Sequence, residues 1–274
     1  MIKIQTLLEN ENSRNHSLLS EHGLSFFVII DDKKFLFDCS GGDKFIKNAE
    51  KLGINLNEVD TVILSHSHYD HCCGFLDLIK YFKISKLITG YNFFNPKYSF
   101  DGVKYTYLGC GFDKKLLEKN TIEHIECGDI LKLHNNIFLI GNFNRKFDFE
   151  KSPNRFVVDD SKEIIKDDFR DEICLVINTE KGLVVITGCS HPGILNILTT
   201  IQQRLNKNIY AVFGGTHLVE ADEIRCLKTI DEMEKLKINI VGFSHCSGEL
   251  ILNLIKKNDN FISCRLNTGD MIKI

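Results

Sequence analysis

The chain of 274 residues is 43% hydrophobic and 26% charged, with a net charge of −3, which suits a globular protein with a substantial core and excludes disordered, collagenous and low-complexity classes. Near-neutrality without a basic stripe argues against electrostatic capture of nucleic acid, and no apolar run reaches membrane-spanning length. The first ten residues lack the basic start, apolar stretch and cleavage site of an export signal, so a cytoplasmic location is expected, with the ten cysteines as free thiols or ligands.

In chain order, Ile2 to Leu8, Leu24 to Ile30 and Lys34 to Phe37 read as strands, the last two joined across Asp31-Asp32-Lys33. A helix is expected at about Asp43 to Leu52, where Phe45, Ile46, Ala49 and Leu52 make one apolar face and Gly53 supplies the stop. The short apolar run Val62-Ile63-Leu64 leads directly into Ser65-His66-Ser67-His68-Tyr69-Asp70-His71. Phe75, Leu78, Ile79 and Phe82 then follow at helical spacing. Tyr91 to Asp168 is rich in aromatics and turn signals and reads as short hairpins and irregular segments, a variable insertion in a single domain spanning 1–274. Its aromatics, Tyr91, Phe93, Phe94, Phe100, Tyr105 and Tyr107, read as core of that insertion.

From Glu172 the pattern sharpens. Strands are expected at Ile173 to Thr179, Leu183 to Thr187, Ile209 to Phe213, Ile238 to Phe243 and Phe261 to Leu266. Helices alternate with them: one carries Ile194 to Leu205 with Pro192 near its start, and the others cover Ala221 to Leu236 and Ser247 to Ile255. Continuous apolar strands alternating with helices imply sheets covered by helices, a mixed α/β class.

Of ten histidines, the informative ones follow strand ends: His66, His68 and His71, then His191, His217 and His245. Loops beyond the carboxyl ends of strands are where such sheets gather ligand sites. In His66-x-His68 the alternation lets two imidazoles leave an extended segment on one side and reach one ion. Asp70 and His71, from the turn entering the next helix, can face a second. Zinc takes such nitrogen and oxygen donors readily. His16, His22, His124 and His134 read as ordinary hydrogen-bonded or surface residues.

The run from Ser65 to His71 is similar to the H-x-H-x-D-H signature of the metallo-β-lactamase superfamily, and the likeness extends over nearly the whole chain. Thr187-Gly188-Cys189-Ser190-His191-Pro192-Gly193-Ile194, Phe213-Gly214-Gly215-Thr216-His217-Leu218 and Ser244-His245-Cys246-Ser247-Gly248 resemble the subgroup that includes the 7,8-dihydropterin-6-methyl-4-(β-D-ribofuranosyl)aminobenzene-5′-phosphate synthases. The resemblance implies a four-layer αββα sandwich holding two divalent metal ions, zinc first, with iron or manganese as alternatives. It implies that His66, His68 and His191 bind one ion, and that Asp70, His71 and His245 bind the other. Many members carry a bridging aspartate after a Thr-Gly pair, whereas Cys189 follows Thr187-Gly188 here. Cys189 is then either a thiolate ligand or a packing residue beside His191, the reading preferred. Glu172 or Asp171 is a second candidate for the missing oxygen ligand. Asp38, in a turn like the D-x-G turn of these proteins, is expected to support the metal loop.

Two such ions lower the pKa of a shared water and polarise the electrophile it attacks, with Asp70 orienting the hydroxide or taking a proton and His217 binding a developing oxyanion or a phosphate oxygen. The expected function is a metal-dependent hydrolase or transferase acting on a small, phosphorylated, pterin-like molecule. A nucleic-acid phosphodiesterase or ribonuclease and a non-catalytic ligand sensor are the alternatives.

Overall fold

Val- and Ile-rich runs form strands buried on both faces wherever their neighbours are parallel. In the computed structural model, which describes residues 1–274, these strands fall into two units. One comprises Met1–Glu126, Pro153–Asp171 and Asn267–Ile274, the other Cys127–Ser152 and Glu172–Leu266.

The first unit carries a seven-stranded sheet ordered Met271–Lys273, Ile2–Leu8, Ser25–Ile30, Lys33–Phe37, Thr61–Ile63, Lys86–Gly90 and Glu123–Cys127. Ser25–Ile30 and Lys33–Phe37 form the expected antiparallel hairpin, with Asp31 at φ 55°, a left-handed value that aspartate tolerates in a tight turn. Thr61–Ile63 lies parallel to both its neighbours and is wholly buried. The histidine motif therefore leaves the carboxyl end of a central parallel strand. Helices Lys44–Lys51 and Phe75–Tyr81 bury Phe45, Ala49, Phe75 and Leu78 among Leu7, Phe27, Leu36, Val62 and Leu87. Just before the second helix, a Cβ on Gly74 would lie 2.0 Å from the Cys39 carbonyl oxygen; only glycine lets the two backbones meet so closely. Met271–Lys273, beyond the last strand expected from the sequence at Phe261 to Leu266, pairs with Lys3–Gln5. Three residues are too few to show a period.

The second unit has a seven-stranded sheet ordered Ile262–Arg265, Ile240–Phe243, Ile209–Gly214, Gly182–Thr187, Ile173–Thr179, Ile137–Gly141 and Ile130–His134. Its first four strands are parallel, and Thr187, Gly214 and Phe243 stand side by side in the register. The loops bearing His191, His217 and His245 thus start from one edge of one sheet. Helices Ile194–Leu205, Glu223–Lys235 and Glu249–Lys256 cover the sheet with Ile197, Leu198, Ile201, Met233, Ile251 and Ile255 packed among Val185, Val212 and Val241.

Residues 91–168, read from the sequence as one insertion, contribute to both units. Lys97–Phe100, Tyr105–Tyr107, Phe156–Asp159 and Ile164–Lys166 form a small antiparallel sheet in the first, while the hairpin Ile130–His134 and Ile137–Gly141 extends the large sheet of the second.

A buried glutamate outside every motif, Glu150, accepts the backbone N–H groups of Leu195 (2.9 Å) and Asn196 (2.8 Å) at the start of helix Ile194–Leu205. Burial pushes its carboxyl up to about 7, against the pull of these amides and of Arg225 and Arg145. Because the folded value lies above the ordinary one of 4.5, the native state holds the extra proton between them, and stability falls as pH rises through that window. Thermal melts of the wild type should therefore decline between pH 5 and 8 more steeply than those of Glu150→Gln, by up to about 3 kcal/mol in stability. Parallel pH profiles would remove Glu150 from this role.

Candidate metal centre

In the first unit the chain bends through Ser65, His66 and Ser67, is extended at His68 (φ −68°, ψ 140°), and then enters the single helical turn Tyr69–Cys72, so the two imidazoles do not leave the straight segment expected from the sequence. The bends before His68 and the helical turn after it convert the spacing of the motif into convergence. His66 and His71 are wholly buried and His68 and Asp70 nearly so. The ring centroid of His66 lies 4.8 Å from that of His68 and 4.3 Å from that of His71, and Asp70 Oδ2 lies 3.8 Å from His71 Nε2. His22, read from the sequence as an ordinary surface residue, places Nε2 3.1 Å from Asp70 Oδ2.

Asp38 organises this turn. Its wholly buried carboxylate accepts the Ser65 N–H (2.7 Å) and Oγ–H (2.8 Å) and lies 2.7 Å from His71 Nδ1. The carboxylate selects the tautomer with the proton on Nδ1, which leaves the Nε2 lone pair for a cation. Burial, then the neighbouring His71, His68 and Lys97, holds His66 well below the ordinary imidazole range, in the neutral form that ligates metals. Three crowded, desolvated imidazoles with one tautomer set by a carboxylate fit a borderline cation such as zinc. Asp38→Ala would leave three donors without their acceptor, and is expected to cost about 2–5 kcal/mol of stability and about 10–100-fold in metal affinity. Calorimetric metal titration beside thermal melts checks this, and unchanged affinity would show that His71 does not depend on Asp38.

The walls of the turn come from a distant part of the chain. Phe156 and Phe169 pack on His68 with ring centroids 5.4 and 5.5 Å away. Cys72 donates its thiol to the His68 carbonyl at 2.8 Å. Asp171, considered above as an oxygen ligand, instead accepts the Ser67 N–H and Oγ–H on a single oxygen, each at 2.9 Å.

In the second unit Glu172 likewise turns to the backbone. Its two carboxylate oxygens accept the N–H groups of Ser190 and of His191, the latter at 2.8 Å. An acid at a strand start beside the site reads as a ligand in sequence; here two amide donors orient it toward the loop. Ser190 Oγ donates to the Gly215 carbonyl (2.7 Å) and Ser152 Oγ to the His191 carbonyl (2.6 Å). The rings of His191 and His217 meet at 4.3 Å between centroids. The Cys246 sulfur accepts the His217 N–H at 3.2 Å and lies 3.5 Å from the Cys189 carbonyl oxygen, joining the three strand-end loops. Asp38, Ser190, His217 and His245 all hold left-handed backbone angles, φ 50–62°. Such conformations are costly for residues with side chains and cluster at functional sites.

Residues 21–164 match the family model of the metallo-β-lactamase superfamily. The chain belongs to the metallo-β-lactamase superfamily. It is 33% identical to the 7,8-dihydropterin-6-methyl-4-(β-D-ribofuranosyl)-aminobenzene-5′-phosphate synthase of Methanocaldococcus jannaschii, over 99% of this chain and 96% of that one. It also resembles the crystal structure of Tm1679, described as a metal-dependent hydrolase of the β-lactamase superfamily, with a TM-score of 0.86 and 32% identity over 100% of this chain and 99% of that one. A diphosphatase of the PhnP family shares the fold alone, at a TM-score of 0.54 and 11% identity over 100% of this chain and 98% of that one. The mixed α/β metallo-β-lactamase fold expected from the His66–His71 motif is thus the fold of the chain. No helix is long and apolar enough to cross a membrane.

Proposed function

We propose that this metallo-β-lactamase superfamily member is an enzyme that holds two divalent ions, zinc first among them, and acts on a small phosphorylated molecule bearing a pterin-like or aminobenzene ring. His66, His68 and His191 would hold one ion and Asp70, His71 and His245 the other, with Cys189 as packing beside His191. The observation that carries this reading is the turn His66–His71, where three buried imidazoles and a carboxylate converge and a buried aspartate sets the His71 tautomer. The substrate class draws its support from the full-length likeness to a synthase whose named product joins those two rings and carries a 5′-phosphate.

Bound divalent ions supply an activated water at neutral pH or neutralise a departing phosphate. The chain's own residues supply the rest. Asp70 accepts or orients a proton, with His22 beside it, and His217 offers a ring N–H to an anionic oxygen next to His191. The same groups serve hydrolysis and group transfer, so the distinction between the two falls to the assay.

Elemental analysis should find close to two transition-metal ions per chain after reconstitution, and His71→Ala or His245→Ala should each retain about one. Paired assays would follow release of phosphate from phosphorylated pterins, and condensation of such a pterin with a ribosyl-aminobenzene phosphate. A ceiling of one metal ion would end the two-metal reading, and inertness toward phosphorylated pterins beside turnover of plain phosphodiesters would end the substrate assignment.

A further inference from the structure

Behind the histidine turn, in the same unit, lies a buried charge cluster that the function above does not use. Lys97, the first residue of strand Lys97–Phe100, is 2% exposed, and its Nζ lies 2.7 Å from Asp167 Oδ2 and 2.7 Å from Asp171 Oδ1. The Phe169 ring that packs on His68 also faces this ammonium, 4.4 Å from its centroid. Burial works against the charge, yet Asp171 and Asp167 outweigh it and raise the Lys97 pKa above its ordinary value. The second oxygen of Asp171 takes both Ser67 donors, and Ser67 stands between His66 and His68. A continuous path of short contacts thus runs from ammonium to carboxylate to the residue that spaces the two imidazoles.

Buried ion pairs are poor stabilisers, because desolvating the charges offsets most of their attraction. A role in geometry accounts better for this one. The main chain of Asp171 is fixed by its approach to Gly90, where a Cβ would lie 2.0 Å from the Asp171 carbonyl oxygen. Lys97 then fixes its side chain, holding one oxygen so that the other faces Ser67.

We infer that Lys97 is a positioning residue for the metal turn, acting through Asp171 and Ser67 to set the separation and aim of His66 and His68. The inference rests on the reading that these two histidines are metal ligands.

Cobalt(II) titration of the full chain, followed by its visible absorption bands, tests it without reference to turnover. Lys97→Met should weaken cobalt binding about 10–100-fold and shift the bands. Asp167→Asn leaves the Lys97–Asp171 pair in place, and should stay within about twofold of wild type even where it lowers the melting temperature. Ser67→Ala should weaken binding by itself, and Lys97→Met with Ser67→Ala should lose less than the product of the single effects, since both act through Asp171. A folded Lys97→Met chain with wild-type affinity and spectrum overturns the inference. Should Lys97→Met not fold, Asp171→Asn and Ser67→Ala decide it, and wild-type cobalt binding in both overturns it equally. His68→Ala separates the two readings: if it binds cobalt as tightly as wild type, the ligand assignment fails, whereas weak binding there beside normal binding in Lys97→Met defeats only the positioning role.

Discussion

His66→Ala and His68→Ala chains are expected to fold, to lose an ion, and to fall by at least about three orders of magnitude in turnover. In the proposed arrangement each supplies one of three nitrogens to the same ion, and a site left with two loses more than the 10–100-fold that attends loss of a mere supporting contact. The fold should survive because the turn is held from outside the rings. Asp38 binds Ser65, Asp171 binds Ser67, and Cys72 binds the His68 carbonyl, none of which needs the imidazoles. Deleting a buried ring still opens a cavity, so a loss of about 2–4 kcal/mol is expected. Circular dichroism, elemental analysis and turnover on a phosphorylated pterin, measured on the same preparations, keep the effects apart. Full metal content with normal turnover in either variant would dismiss the replaced residue as a ligand.

That turn is legible in the sequence because its four proposed ligands lie within six residues and follow an apolar strand directly, so one local pattern carries strand, loop and candidate chemistry together. The strand ends leading to His191, His217 and His245 are legible for the same reason, and their shared sheet edge follows from the parallel register. The supports are not local. Ser67 and Asp171 are 104 residues apart and Lys97 and Asp171 are 74 apart, and nothing in either segment signals the other. Phe156 and Lys97 sit on strands of four residues, too short for alternation to stand out among neighbouring aromatics. His22 lacks any motif, and only the folded chain brings it to Asp70. Asp171 and Glu172 show the limit from the other side. Acids at a strand start near a metal motif read as ligands, yet their oxygens accept Ser67, Ser190 and His191 donors, and residue type alone cannot tell an oxygen aimed at an ion from one aimed at an amide.

His217→Ala should keep the fold and full metal content while turnover on phosphate-bearing substrates drops by roughly one to three orders of magnitude, the range for losing one positioned acid or oxyanion donor. The ring is held for such a task. Its backbone sits at φ 50°, its N–H is taken by the Cys246 sulfur, and its imidazole lies against that of His191 without being fully buried. A ring so placed is pre-aimed, so little conformational entropy is lost when it meets a ligand oxygen. Contact with His191 leaves two roles open, substrate donor or metal ligand, and the variant separates them. A donor to phosphate should leave both ions in place and slow phosphorylated substrates far more than neutral esters, which lack the charge that the ring would meet. A ligand should lose an ion and slow both substrate types alike. Equal turnover of His217→Ala and wild type on phosphorylated compounds would exclude both roles and leave the ring as packing for His191.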